Sequence, residues 1–267
     1  MSTAQVQRAH DRFRTQAGWL DSQHSFSFGP HYDPGNVGFG LLLVSNDDLV
    51  AAGTGFETHP HRDMEIVTWV LEGSLVHQDS QGHTGLIHPG LAQRMSAGRG
   101  ILHSEKNDAR ARGLAAGSAG LDVPVRFIQM WVAPDERSIS PSYEQLDVSA
   151  ELDRGGLVVV ASGLDRHADE RAITINQRSA GLLVSRMRDG EAVELPTAPY
   201  VHLYVATGSV DVEGVGRLGA GDALRLSGSE GQRVTSTKRS VPDVVGSGDS
   251  GQGHTEILIW EMHSALV

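Results

Sequence analysis

The chain has 267 residues, of which 39% are hydrophobic, enough for one large or two modest cores; its formal charge of −11 argues against a broad nucleic-acid surface, which needs clustered Lys and Arg. There is no cysteine, which excludes disulfides, thiolate metal ligands and a cysteine nucleophile. No N-terminal stretch resembles a signal peptide and no apolar run is long enough to span a bilayer, so the expectation is a cytoplasmic protein without a membrane partner.

Glycine makes up 32 of the 267 residues, well above the usual share of about 7%, which signals many tight turns. Short Val, Ile, Leu and aromatic runs between Gly, Asp, Asn or Pro turns predict an all-β chain of antiparallel barrels with little helix. In chain order the predicted strands are 25–28, 38–44, 65–71, 74–79, 85–88, 93–96, 127–132, 157–162, 182–187, 202–206, 209–212 and 257–262. Two segments interrupt the pattern, the Ala, Gly and Arg-rich 109–122 and the Ser, Gly and Asp-rich 236–253, and both read as loops or insertions.

Chemistry concentrates in two triplets, His59-Pro60-His61 and His103-Ser104-Glu105. Residues two apart on a strand share a face, so each triplet can aim both side chains at one point. Three imidazoles and a carboxylate suit Fe(II), Mn, Ni, Cu or Zn, and four protein ligands leave an octahedral ion two open positions for substrate, dioxygen or water. The bland alternative is surface histidines and a solvated glutamate, which two same-face triplets disfavour. Pro60 has no N–H for a ladder, placing His59 and His61 at the start or edge of a strand. Glu65 is a rival carboxylate: it lies an even number of residues from His61, so an unbroken strand would put both on one face.

Around these triplets the readings are narrower. Gly98-Arg99-Gly100 forms the turn into His103, where glycine permits positive φ. His24, Phe26 and Phe28 could line the metal pocket, although an alternating Phe pair is more often plain core, and Met64 carries the same ambiguity. His77, His83 and His88 sit near turns and read as solvated.

The chain also repeats itself faintly. Residues 71–75 resemble 206–210, and 85–90 resemble 216–221, as two barrels in tandem would give, with units at 1–133 and 134–267. Counting back from Gly208 as His59 and His61 precede Gly73 lands on Glu194 and Pro196, and the counterpart of His103 falls near Val234. The second copy therefore lacks the ligands.

Gly53-x5-His59-x-His61-x3-Glu65 followed by Gly73 resembles the first cupin motif, and Gly100-x2-His103-x3-Asn107 the second. More specifically, the stretches 59–65, 93–107 and Trp19 to Phe28 resemble the pirin family, and the likeness resumes at Gln129-Met130-Trp131 and Pro141-Ser142-Tyr143. The resemblance implies a bicupin with one metal, usually iron, in the N-terminal barrel, held by His59, His61, His103 and Glu105. Glu65, the carboxylate an ordinary cupin would recruit, then becomes a pocket-lining candidate. It further implies a quercetin 2,3-dioxygenase-like activity on a flavonol and O2, with Glu105 also acting as base. The alternative it carries is an iron-binding, redox-responsive regulator of a protein partner. Monomer is the family default.

Overall fold

Alternating apolar and polar side chains along short segments give β-strands with two distinct faces. The structure is a computed structural model describing residues 2–108, 123–237 and 254–266. It contains four sheets, one five-residue α-helix, Ser149–Asp153, and two short 3-10 turns. The predicted segment 109–122, and 238–253 of the second predicted loop, lie outside the described residues.

The first seven-stranded sheet runs in the order Ser142–Asp147, Leu91–Ser96, Glu65–Glu72, Val125–Val132, Leu42–Val50, Leu20–His24, Phe13–Ala17. Facing it is a four-stranded sheet in the order Gly55–His61, Ile101–Lys106, Leu75–Asp79, Thr84–Ile87. The second half repeats the scheme. Its seven-stranded sheet runs Thr3–Gln7, Ala223–Glu230, Thr197–Thr207, Thr255–Met262, Ala180–Met187, Val158–Ser162, Ile173–Thr174, and its four-stranded sheet Ala192–Glu194, Arg233–Ser236, Ser209–Val212, Gly216–Gly219. Gly73 and Gly208, aligned in the sequence repeat, both have φ of +73°, and a Cβ on either would strike the neighbouring strand.

The all-β class is as expected, but no described sheet closes into a barrel; each half is a pair of open sheets. Two strands cross the 133/134 division: Thr3–Gln7 pairs with Ala223–Glu230, and Ser142–Asp147 pairs with Leu91–Ser96.

Three apolar layers hold the molecule together. Val50, Val70, Leu75, Ile87, Val125 and Phe127 fill the space between the first pair of sheets. Val201, Leu203, Val210, Leu224, Val234 and Ile259 do the same in the second. The two seven-stranded sheets then pack back to back through Val67, Trp69, Ile128 and Met130 on one side and Val160, Leu182, Leu258 and Trp260 on the other. Burial of such side chains is worth about 1.5–3 kcal/mol each before entropy is counted.

Two predicted strands are displaced. Residues 25–28 are not a strand, because the Ser25 carbonyl accepts hydrogen bonds from the side chains of Gln7, Asn36 and Arg225 instead of a ladder partner. The segment predicted at 38–44 starts late, at Leu42, since Phe39 and Leu42 close a tight turn through reciprocal backbone bonds of 2.9 and 3.0 Å.

Candidate metal centre

The four-stranded sheet of the first half brings the two triplets together. Gly55–His61 is its edge strand and pairs antiparallel with Ile101–Lys106, so that His59 stands opposite His103 and His61 opposite Ile101. Pro60 thus sits on an edge strand, where its missing N–H costs the ladder little. Between His103 and Glu105 the register slips, with four residues from Phe56 to His59 answering three, a β-bulge that re-aims the side chains. Gly55 has to be glycine here: a Cβ would come within 2.2 Å of the Glu105 carbonyl oxygen.

His59, His61 and His103 form a near-equilateral triangle, with ring centroids 4.8, 4.5 and 4.8 Å apart. Their ligand atoms all lie within 4.8 Å of one another. The His59 and His103 Nε2 atoms approach to 3.1 Å, and His59 Nδ1 lies 2.7 Å from the Glu57 carbonyl, to which it donates, leaving Nε2 as its free lone pair. His61 Nε2 is buried with no hydrogen-bond partner. Such an orphan in a cage of imidazoles is what a metal ion would satisfy. Burial, reinforced by the neighbouring imidazoles, lowers His61 and His103 to about 3, so both are neutral and able to ligate at physiological pH.

Glu105 is almost fully buried and belongs to a second group sharing His103, namely His77, His103 and Glu105. No single group among the described residues holds all four expected ligands within that distance. Gln129 Nε2 donates to both Glu105 oxygens, at 3.0 and 2.8 Å, and Trp131 Nε1 donates to Gln129 Oε1 at 3.1 Å, which fixes the amide with its NH2 toward the carboxylate. Burial raises the Glu105 carboxyl, while Gln129 and the nearby imidazoles partly offset it.

Glu65 does not share a face with His61. The chain breaks between their strands, with Asp63 at φ +48°, and Glu65 starts a new strand facing the other half of the molecule. There it accepts from Ser96 Oγ at 2.9 Å and the Asn176 N–H at 3.0 Å. Phe26 likewise joins the core between the two halves, whereas Met64 packs beside Ile66, Met95 and Ile101 near the histidines. His24 stacks on Phe28, and both Phe28 and His61 meet Trp131 edge to face. Gly98 and Gly100 do carry positive φ, and the Gly98 carbonyl accepts from the Asp63 N–H.

His77 is the clearest departure from expectation. It is fully buried, with Nδ1 3.3 Å from His103 Nδ1, its ring stacked on Tyr143 at 4.8 Å. Its signal was present in the sequence: Leu75, His77 and Asp79 alternate on one face, and Leu75 is core. Among the other two, His83 is half-buried and bonded to Asp79, and His88 is exposed as expected. Apart from His24, sequence reasoning also missed the floor under the site. Register places His24, Asn46, Gln129, Thr68 and Gln93 side by side across five strands of the seven-stranded sheet, all buried.

Beside this row lies Asp48, pushed up to about 7 chiefly by burial, with the charges of Asp47 and Glu105 adding and the Ser22 hydroxyl opposing. A carboxyl whose folded pKa exceeds its unfolded 3.8 contributes fully below that value, and the contribution is lost as pH rises toward 7. Asp48→Asn is therefore expected to gain roughly 2–4 kcal/mol relative to the unsubstituted protein between pH 4 and pH 8, at about 1.36 kcal/mol per unit. Urea denaturation at both pH values reads this, and a difference independent of pH would refute it.

In the second half the corresponding cross-strand pair is Val193 and Val234, both in the apolar core. The inward residues are thus Val193 and Leu195, one off the positions counted from sequence, and no described group of potential ligands lies there.

Residues 5–132 match the family described as Pirin. A Mycobacterium tuberculosis relative is 48% identical over 265 residues, covering 99% of this chain and 97% of its own. The quercetin 2,3-dioxygenase of Escherichia coli strain K12 is 37% identical over 211 residues, 79% of this chain and 84% of that one. Among solved structures, the bacterial pirin YhhW of Escherichia coli in complex with nickel(II) superposes with a TM-score of 0.80 at 30% identity, covering 98% of this chain and 100% of that one. With its paired sheets, its repeated half and, among the described residues, a cluster of imidazoles in the first half alone, the chain belongs to the pirin family.

Proposed function

We propose that the protein is a mononuclear metal-dependent dioxygenase of the quercetin 2,3-dioxygenase type, opening the ring of a flavonol with O2. In this reading Fe(II) is the native ion, held by His59, His61, His103 and Glu105 in an N-terminal unit of about residues 1–133. Residues 134–267 form a C-terminal unit without ligands, in a cytoplasmic monomer. The observation that carries the reading is the imidazole triangle with the unpartnered, buried His61 Nε2.

A bound divalent ion would supply Lewis acidity toward the flavonol oxygens and a place for dioxygen. The chain's own residues supply the rest. His61 also borders an open groove of about 500 Å³, lined by Pro60, Arg62, Arg99 and Leu102, and it is the member of the triangle that this groove reaches. Trp131, edge-on to His61, limits the tilt of that ring. Glu105, raised by burial and held as an acceptor by Gln129, takes the proton of the flavonol hydroxyl.

Anaerobically iron-loaded protein, exposed to air and quercetin, should bleach the flavonol absorption band and release carbon monoxide. A fully loaded protein that leaves quercetin untouched would refute the reading, and partner binding that differs between Fe(II) and Fe(III) forms would then favour the regulator. The carboxylate assignment is tested separately. Glu105→Gln is expected to weaken metal binding by at least ~10-fold, as loss of a ligand or its close support does. Glu65→Gln should keep the metal, because its carboxylate is bonded to Ser96 and Asn176. Metal loss confined to the Glu65 variant would reverse the assignment.

A further inference from the structure

His77 and Asp79 have no part in the proposed ligand set, yet they continue the line of the site away from its mouth. Asp79 Oδ1 accepts the backbone N–H groups of Gln81 and His83 at 2.9 and 3.0 Å. Its Oδ2 faces His83 Nδ1 at 2.9 Å and His77 Nε2 at 3.3 Å. An ionised carboxylate can only accept, so both of those imidazole nitrogens carry their hydrogens. Burial works against the charge, but the bonds from His83, His77 and the backbone outweigh it and keep Asp79 below the usual carboxylate range.

The direction of every bond in the line follows from that end. With its Nε2 hydrogen committed to Asp79, His77 is left with Nδ1 to accept, and this atom faces His103 Nδ1. His103 Nδ1 must then carry the hydrogen, and its Nε2 presents the lone pair, on the side where His59 Nε2 lies. Tyr143 stacks on both His77 and His83, with ring centroids 4.8 and 5.2 Å away, and its hydroxyl donates to Gln93.

We propose that Asp79 and His77 are positioning residues that set the tautomer of His103, a carboxylate–histidine–metal arrangement lengthened by one imidazole. The proposal rests on the reading of His103 as a ligand and adds what decides which of its nitrogens ligates.

Asp79→Asn is the decisive substitution. Two backbone N–H groups require an acceptor at the Oδ1 position, so the amide oxygen stays there and the NH2 occupies the Oδ2 position, facing His77. That group donates to His77 Nε2, drives the His77 hydrogen to Nδ1, and so drives the His103 hydrogen onto Nε2, the ligating atom. Zn(II) titration against a chromophoric chelator should show one equivalent bound by the unsubstituted protein and a roughly 10–100-fold weaker affinity in Asp79→Asn. His88→Gln, at an exposed position with no bond to Asp79 or His77, should bind as the unsubstituted protein does. Nitrogen NMR of the histidine-labelled, zinc-loaded protein gives an independent reading, with hydrogen expected on His103 Nδ1 and metal on Nε2. Tight binding by both the unsubstituted protein and Asp79→Asn, or ligation through His103 Nδ1, would overturn the proposal while leaving the metal site standing. Absence of zinc binding by the unsubstituted protein would instead overturn the ligand reading and this inference with it.

Discussion

His103→Ala is expected to abolish stoichiometric metal binding and any activity that depends on it. Of the three imidazoles it alone belongs to both clusters, with Nε2 turned to His59 and Nδ1 to His77. Its loss removes a ligand and also leaves His77, fully buried, without the partner at Nδ1. Losing an outer hydrogen-bond partner of a ligand typically weakens metal affinity by about 10–100-fold, so loss of the ligand itself should exceed ~100-fold. Equilibrium dialysis followed by elemental analysis reads the stoichiometry, and His88→Ala, an exposed histidine at a turn, serves as the control. A His103→Ala protein that still holds one tight equivalent would show that the metal sits elsewhere.

The second large effect is on folding. Arg126 donates to Asp47 through Nε at 3.0 Å and Nη2 at 2.7 Å, and Nη2 also reaches the Ala206 carbonyl at 3.0 Å in the other half. The Tyr204 hydroxyl donates to the same Asp47 at 2.5 Å and accepts from Arg12 at 2.8 Å. Burial alone would push Asp47 up, but Arg126, with Arg12 and Tyr204, holds it below the usual carboxylate range. Arg126→Ala leaves that carboxylate buried without its main counter-charge, which costs about 3–5 kcal/mol. A fall in melting temperature on the order of 10 °C is expected by calorimetry, at about 2–4 °C per kcal/mol for a chain of this size. Arg126→Lys, which keeps the charge but loses the fork, should fall between the two. A loss below about 1 kcal/mol for the alanine variant would mean the network adds little to the contact between the halves.

Much of this could be read in the sequence because the relevant signals are local. Strand alternation, the H-x-H spacing around Pro60 and the recurrence of Gly73 at Gly208 depend on near neighbours, and the corresponding strands and repeated topology are present. What was hidden depends on pairing at a distance. Glu65 looked like a companion of His61 only while the two were placed on one strand; the turn at Asp63 puts its carboxylate on the opposite side of a different sheet. His77 looked solvated because its sequence neighbours Gln78, Gly82 and His83 are polar or turn-forming, yet its alternate neighbour Leu75 is core and Tyr143, 66 positions away, covers it. Beyond His24, the polar floor was invisible for the same reason, since His24, Asn46, Thr68, Gln93 and Gln129 come from five strands and adjoin only through register. The exchange of strands Thr3–Gln7 and Ser142–Asp147 between the halves also leaves no trace in composition.

The central claim is that one metal ion sits among His59, His61 and His103. Anomalous diffraction at the iron edge, from crystals loaded anaerobically with Fe(II), tests it most directly. A single peak at coordination distance from the Nε2 atoms of all three histidines, with Glu105 turned toward it, is the predicted result. A peak confined to His77, His103 and Glu105, or no peak at the triangle in fully loaded crystals, would contradict it.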